Sequence, residues 1–112
     1  MSRCALFRLF FVGLMISALL TGCSRDPNVR KQKFLESGNR YRDKGKLREA
    51  AIQYSNAIQV DSRFAEAHYQ LGLALEAQND QHEAVGEFQA ALQVDPQFQE
   101  ARRELAKLTS LR

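Results

Sequence analysis

From about residue 30 to the C-terminus, apolar residues return every three or four positions. Ala50, Tyr54, Ala57 and Ile58 fall on one face of a helix in this pattern, and so do Ala84, Phe88, Ala91 and Leu92. Such spacing predicts amphipathic helices rather than strands. The pattern is interrupted at Lys44-Gly45 and at Asn79-Asp80, where a residue that tolerates a left-handed conformation suits a tight turn. Asp95-Pro96 reads as an N-cap followed by proline at the first helical position. Asp61-Ser62 can cap in the same way. Five helices are predicted, near 30–44, 47–60, 65–78, 81–94 and 97–110, giving an all-α domain. Residues 24–29, with Asp26-Pro27-Asn28, read as a short tether.

The N-terminal segment follows a different rule. Arg3 and Arg8 are followed by Leu9 to Leu20, twelve uncharged and largely apolar residues, and then by Thr21-Gly22-Cys23. A spanning helix needs roughly 20 apolar residues, so this run is too short. It fits the apolar core of a secretory signal. Leu20-Thr21-Gly22-Cys23 resembles the lipobox of bacterial lipoproteins. That resemblance implies removal of residues 1–22 and a thioether-linked diacylglycerol on Cys23, with acylation of the new amino terminus. Two or more acyl chains hold a protein stably at a membrane, whereas one does not. Ser24 in place of Asp implies, by the same resemblance, sorting to the outer membrane, facing the periplasm.

The helical part contains a repeat. Shifted by thirty-four residues, Gly38, Glu49, Ala50, Ala57, Gln59, Val60, Asp61 and Phe64 fall on Gly72, Glu83, Ala84, Ala91, Gln93, Val94, Asp95 and Phe98. A third copy begins at Phe98-Gln99-Glu100-Ala101 and reaches Leu105. The period and the pattern of small and large residues resemble the tetratricopeptide repeat, a helix-turn-helix unit. Gly38, Gly72, Ala50, Ala84, Ala57 and Ala91 stand where the family keeps helices close; Tyr41, Tyr54, Leu75 and Phe88 stand where it fills space. Ser37, Ser62 and His68 depart from the family pattern. The expected organisation is residues 23–30 as lipidated N-terminus and tether, 31–64 and 65–98 as repeats, and 99–112 as a capping half-repeat.

The resemblance also implies a function. The first helix of each repeat would line a concave groove for an extended peptide or a partner helix. The groove positions fall on Gln32, Leu35, Asn39, Arg42 and Asp43, then on Glu66, Tyr69, Leu73, Glu76 and Ala77, then on Glu100, Arg103 and Lys107. Asn39, Arg103 and Lys107 are similar to a clamp that some relatives use for a C-terminal carboxylate, with Leu35 where that clamp carries Lys. The expected protein is a membrane-anchored interaction module of the cell envelope. A self-assembling structural lipoprotein, dimerising through Leu105, Leu108 and Leu111, is the alternative, as is a short form or fragment of a longer repeat lipoprotein.

Charge and chemistry narrow this further. Residues 25–48 carry a net +6, residues 49–101 a net −8 and residues 102–112 a net +3. The basic stretch beside the anchor can be drawn to anionic headgroups. Nucleic acid is not an expected partner. Cys4 leaves with the leader and Cys23 is taken by lipid, so no disulfide or cysteine-based metal site is expected. No phosphate loop, nucleophile motif or metal-binding helix is present, and no enzyme activity or cofactor is expected. His68 and His82 lie on different helices, with His82 expected to face solvent.

Overall fold

The computed structural model describes residues 26–110. The leader, the lipobox, Cys23 and Leu111 lie outside the described residues. The rest forms five helices: α1 Pro27–Asp43, α2 Leu47–Val60, α3 Ala65–Ala77, α4 Gln81–Val94 and α5 Gln99–Ser110. Each helix packs against its neighbour in sequence, so the stack grows in one direction as a solenoid. Among the described residues, no helix is long and apolar enough to cross a membrane.

The core explains the repeat. Tyr54 and Phe88 are the largest fully buried side chains, and they occupy equivalent places in the two repeats. Each ring packs directly against a glycine of the preceding helix. A Cβ added at Gly38 would stand 2.5 Å from the Tyr54 ring, and one at Gly72 would stand 2.6 Å from the Phe88 ring. Ala50, Ala57, Ala84 and Ala91 are fully buried around them. One cluster joins Leu35, Tyr54, Ala67, Leu71 and Ala74 across α1, α2 and α3. A second joins Ala84, Phe88, Ala91, Ala101 and Leu108 across α4 and α5. Leu108 is therefore already committed within the chain and is not an exposed dimer contact.

The turns follow the expected chemistry at two points and depart from it at three others. Gly45 and Asn79 both have positive φ, 74° and 65°, in the two short connections. They link the helices of each repeat and close them with N–H bonds back to the preceding carbonyls. The Asp-Pro signal, however, works differently at its two occurrences. Asp26 is the true N-cap: its carboxylate accepts from the Asn28 N–H at 2.9 Å, with Pro27 in the first turn. So α1 begins at Pro27, and residues 27–30 belong to it rather than to a tether. Asp95 instead ends α4, and α5 starts only at Gln99. Its carboxylate accepts from the Gln97 N–H at 3.0 Å, and the Phe98 N–H closes a turn onto the Asp95 carbonyl at 3.1 Å. Aspartate at the first position and proline at the second are what such a turn favours. Asp61 does the same with Arg63 and Phe64.

Candidate functional site

The first helices of the repeats, α1, α3 and α5, are tied edge to edge by polar side chains. Tyr54 lies under α1 and donates its hydroxyl to Asn39 Oδ1 at 2.8 Å. Burial raises the Tyr54 pKa, which keeps the phenol in its donating form. Arg42 donates to Asn39 at 3.2 Å, to Asp43 at 3.1 Å and across to Gln70 of α3 at 2.8 Å. Gln70 in turn donates to Glu66 at 2.9 Å. Between α3 and α5 the tie is Lys107, 3.0 Å from Glu76 and 2.6 Å from Glu104. Those two carboxylates, Glu104 first, push the Lys107 pKa upward.

The expected groove residues fare unequally. Asn39 and Arg42 are brought together on the inner face and are engaged with one another. Tyr69 and Leu73 lie on the same helix but are half-buried, packed against the second cluster. The Tyr69 ring is 5.0 Å from the Phe98 centroid and 6.0 Å from that of Phe88. Leu35 is a correction: it is 8% exposed and belongs to the core. The reason is local, since α1 turns that side chain toward Tyr54 and Leu71. The positions that resemble a carboxylate clamp are engaged within the chain, Arg103 excepted. The clamp's lysine position is a buried leucine, Lys107 is held by two glutamates, and Asn39 is taken by Tyr54 and Arg42. Arg103 remains exposed.

Three features of this face are plain in the structure and go beyond the expected site, although Glu66, Tyr69 and Glu100 were among its positions. Gln70 carries the α1–α3 tie, and Glu104 carries part of the α3–α5 tie. A pocket of about 370 Å³ opens between the starts of α3 and α5, lined by Glu66, Tyr69, Asp95, Gln97, Phe98 and Glu100. The acidic run from Glu49 to Ala101 carried the signal for it.

A second polar center lies deeper. His68 is buried, with Nδ1 2.7 Å from Glu87 of α4 and Nε2 2.9 Å from the Ser62 carbonyl. Both partners accept, so both ring nitrogens must donate, and the geometry calls for the imidazolium. The His68 pKa is raised, chiefly by the Glu87 bond and further by the Ser62 carbonyl. The ring thus clasps the inter-repeat turn to α4. His82 is exposed, in the first turn of α4.

The stacking of helix pairs, with one helix of each pair lining an inner face, defines a helical-repeat solenoid. Residues 38–79 match the TPR repeat and residues 65–98 the tetratricopeptide repeat. Tetratricopeptide repeats thus extend across residues 38–98. A solved structure described as the first TPR of Spaghetti (RPAP3) bound to HSP90 peptide SRMEEVD is similar to it, with a TM-score of 0.71 and 21% identity over 94% of this chain and 82% of that one. At that identity the likeness establishes the fold. No curated protein sequence matches the chain.

Proposed function

We propose that the protein is a membrane-anchored adaptor of the bacterial cell envelope, whose inner face binds a segment of another envelope protein. The observation that carries the binding part is the shared inner face of α1, α3 and α5. Polar ties hold the three helices in register there, while Ala77, Glu100 and Arg103 stay exposed. A fixed backbone with open side chains suits capture of a segment that orders on binding. The similar TPR structure holds a peptide, which supports the same use of the face here. The anchor half of the proposal rests on Leu20-Thr21-Gly22-Cys23, with acyl chains on Cys23. Ser24 favours the outer membrane, facing the periplasm. Confinement at one surface raises the local concentration of the groove for a partner in the same compartment. No cofactor beyond that lipid and no catalytic step belong to this reading.

The test is chemical crosslinking in cells that carry the tagged full chain, followed by detergent extraction, pull-down and mass spectrometry. Ala77→Arg runs beside it, because it adds bulk and charge to the inner face at an exposed position. One envelope protein enriched by the wild type and lost with Ala77→Arg is the expected result. Equal recovery with both proteins contradicts the groove. Recovery of only the chain itself favours self-assembly.

A further inference from the structure

The two repeats differ where α1 and α3 meet the turn that follows their own repeat. In the first repeat, Lys31 of α1 reaches the turn. Its ammonium is 2.6 Å from Asp61 Oδ2 and 4.9 Å from the centroid of the Phe64 ring. The Lys31 bond, with the Arg63 N–H behind it, holds the Asp61 carboxyl below its ordinary pKa. An acid beside an aromatic face is a fitting seat for a cation, because the ring quadrupole adds to the ion pair. This corner is filled from within the chain.

Thirty-four residues later the same corner recurs as Asp95 and Phe98, with the same turn hydrogen bonds. The cation does not recur, because Ala65 stands where Lys31 stood. The surroundings change in the same sense. Gln32, Leu35 and Arg63 of the first repeat are Glu66, Tyr69 and Gln97 in the second. The corner therefore loses two cations and gains a carboxylate and an aromatic ring. With Glu100 it forms the pocket of about 370 Å³ described above, whose lining holds three carboxylates and no cation. Two arginines of α5 are the nearby positive charges: Arg102 turns to the Pro96 carbonyl of the same turn, outside the pocket lining, and Arg103 is exposed one turn beyond Glu100.

Resting on the adaptor reading, we infer that this pocket receives a lysine or arginine side chain of the partner segment, seated between Asp95 and Phe98 as Lys31 is seated between Asp61 and Phe64. The partner is then a basic segment. An acidic one meets Glu66, Asp95 and Glu100 at the pocket, and like charges there oppose docking.

A random phage-displayed peptide library, panned on the full chain in non-ionic detergent, tests this. The wild type should enrich peptides that need a Lys or Arg. Ala65→Lys should lose them, because it supplies the pocket with an internal ammonium in the manner of Lys31. Glu66→Gln with Glu100→Gln should bind a selected peptide roughly tenfold more weakly at low salt, the loss expected for two exposed charge pairs. Circular dichroism of each variant checks that the fold is kept. Peptides that bind without a basic residue, or that bind Ala65→Lys as well as the wild type, overturn the inference. If those peptides are lost with Ala77→Arg, the groove still stands. No enriched peptide at all overturns both.

Discussion

At the scale of single residues, the fold depends on a glycine beneath each buried ring. Tyr54 and Phe88 have no exposed surface, so neither ring can swing away from a new methyl group. Gly38→Ala and Gly72→Ala should each destabilise by about 1–3 kcal/mol through overpacking, offset in part by a helix-propensity gain of about 1 kcal/mol. Thermal denaturation measures this; an unchanged or higher Tm would contradict the contact. His68 gives a second residue-scale prediction. Its folded pKa is raised above the ordinary 6.5. The clasp therefore contributes fully below pH 6.5 and is lost as pH rises through the folded value. Glu87 faces the ring from α4 and Asp61, paired with Lys31, faces it from the turn. The Tm of the wild type should fall more steeply than that of His68→Gln as pH increases over that window. His68→Ala should cost roughly 1–3 kcal/mol at pH 6, because it removes a charge-assisted hydrogen bond to the half-buried Glu87.

At the scale of the element, the sequence revealed more than it did residue by residue. Helix spacing and the Gly45 and Asn79 turns are local properties, and the structure has them where the pattern placed them. The aspartates were ambiguous for a physical reason. An Asp side chain accepts from an N–H two residues on whether a helix or a turn follows, and only the next turn of chain decides. Asp26 should therefore behave as a cap and Asp95 as a turn former. Asp26→Ala should shorten α1 and lower stability by about 1 kcal/mol, read by amide exchange at Asn28 to Arg30. Protection that stays unchanged there would contradict the cap. The groove was legible as a set of helix positions, but its occupancy was not. Whether Leu35 points inward, or Lys107 is free, depends in part on neighbours on other helices, Tyr54 and Leu71 for the one and Glu76 for the other.

At the scale of the whole molecule, charge, repeat and anchor belong to one proposal. The basic segment at α1 lies next to the proposed lipid site, while the pocket between α3 and α5 is acidic. Headgroups would thus address the basic first repeat, and the partner the acidic corner one repeat further on. Cys23→Ala should leave an unprocessed precursor that takes up no labelled fatty acid; continued labelling would contradict the anchor. The central claim is that the inner face, not the outer one, meets the partner. A photo-crosslinking amino acid placed in the full chain in cells tests it most directly, at Ala77 and Arg103 on α3 and α5 and at the exposed Ile52 of α2. The account predicts one shared adduct from Ala77 and Arg103 and none from Ile52. The same adduct from Ile52, with none from the other two, would contradict it.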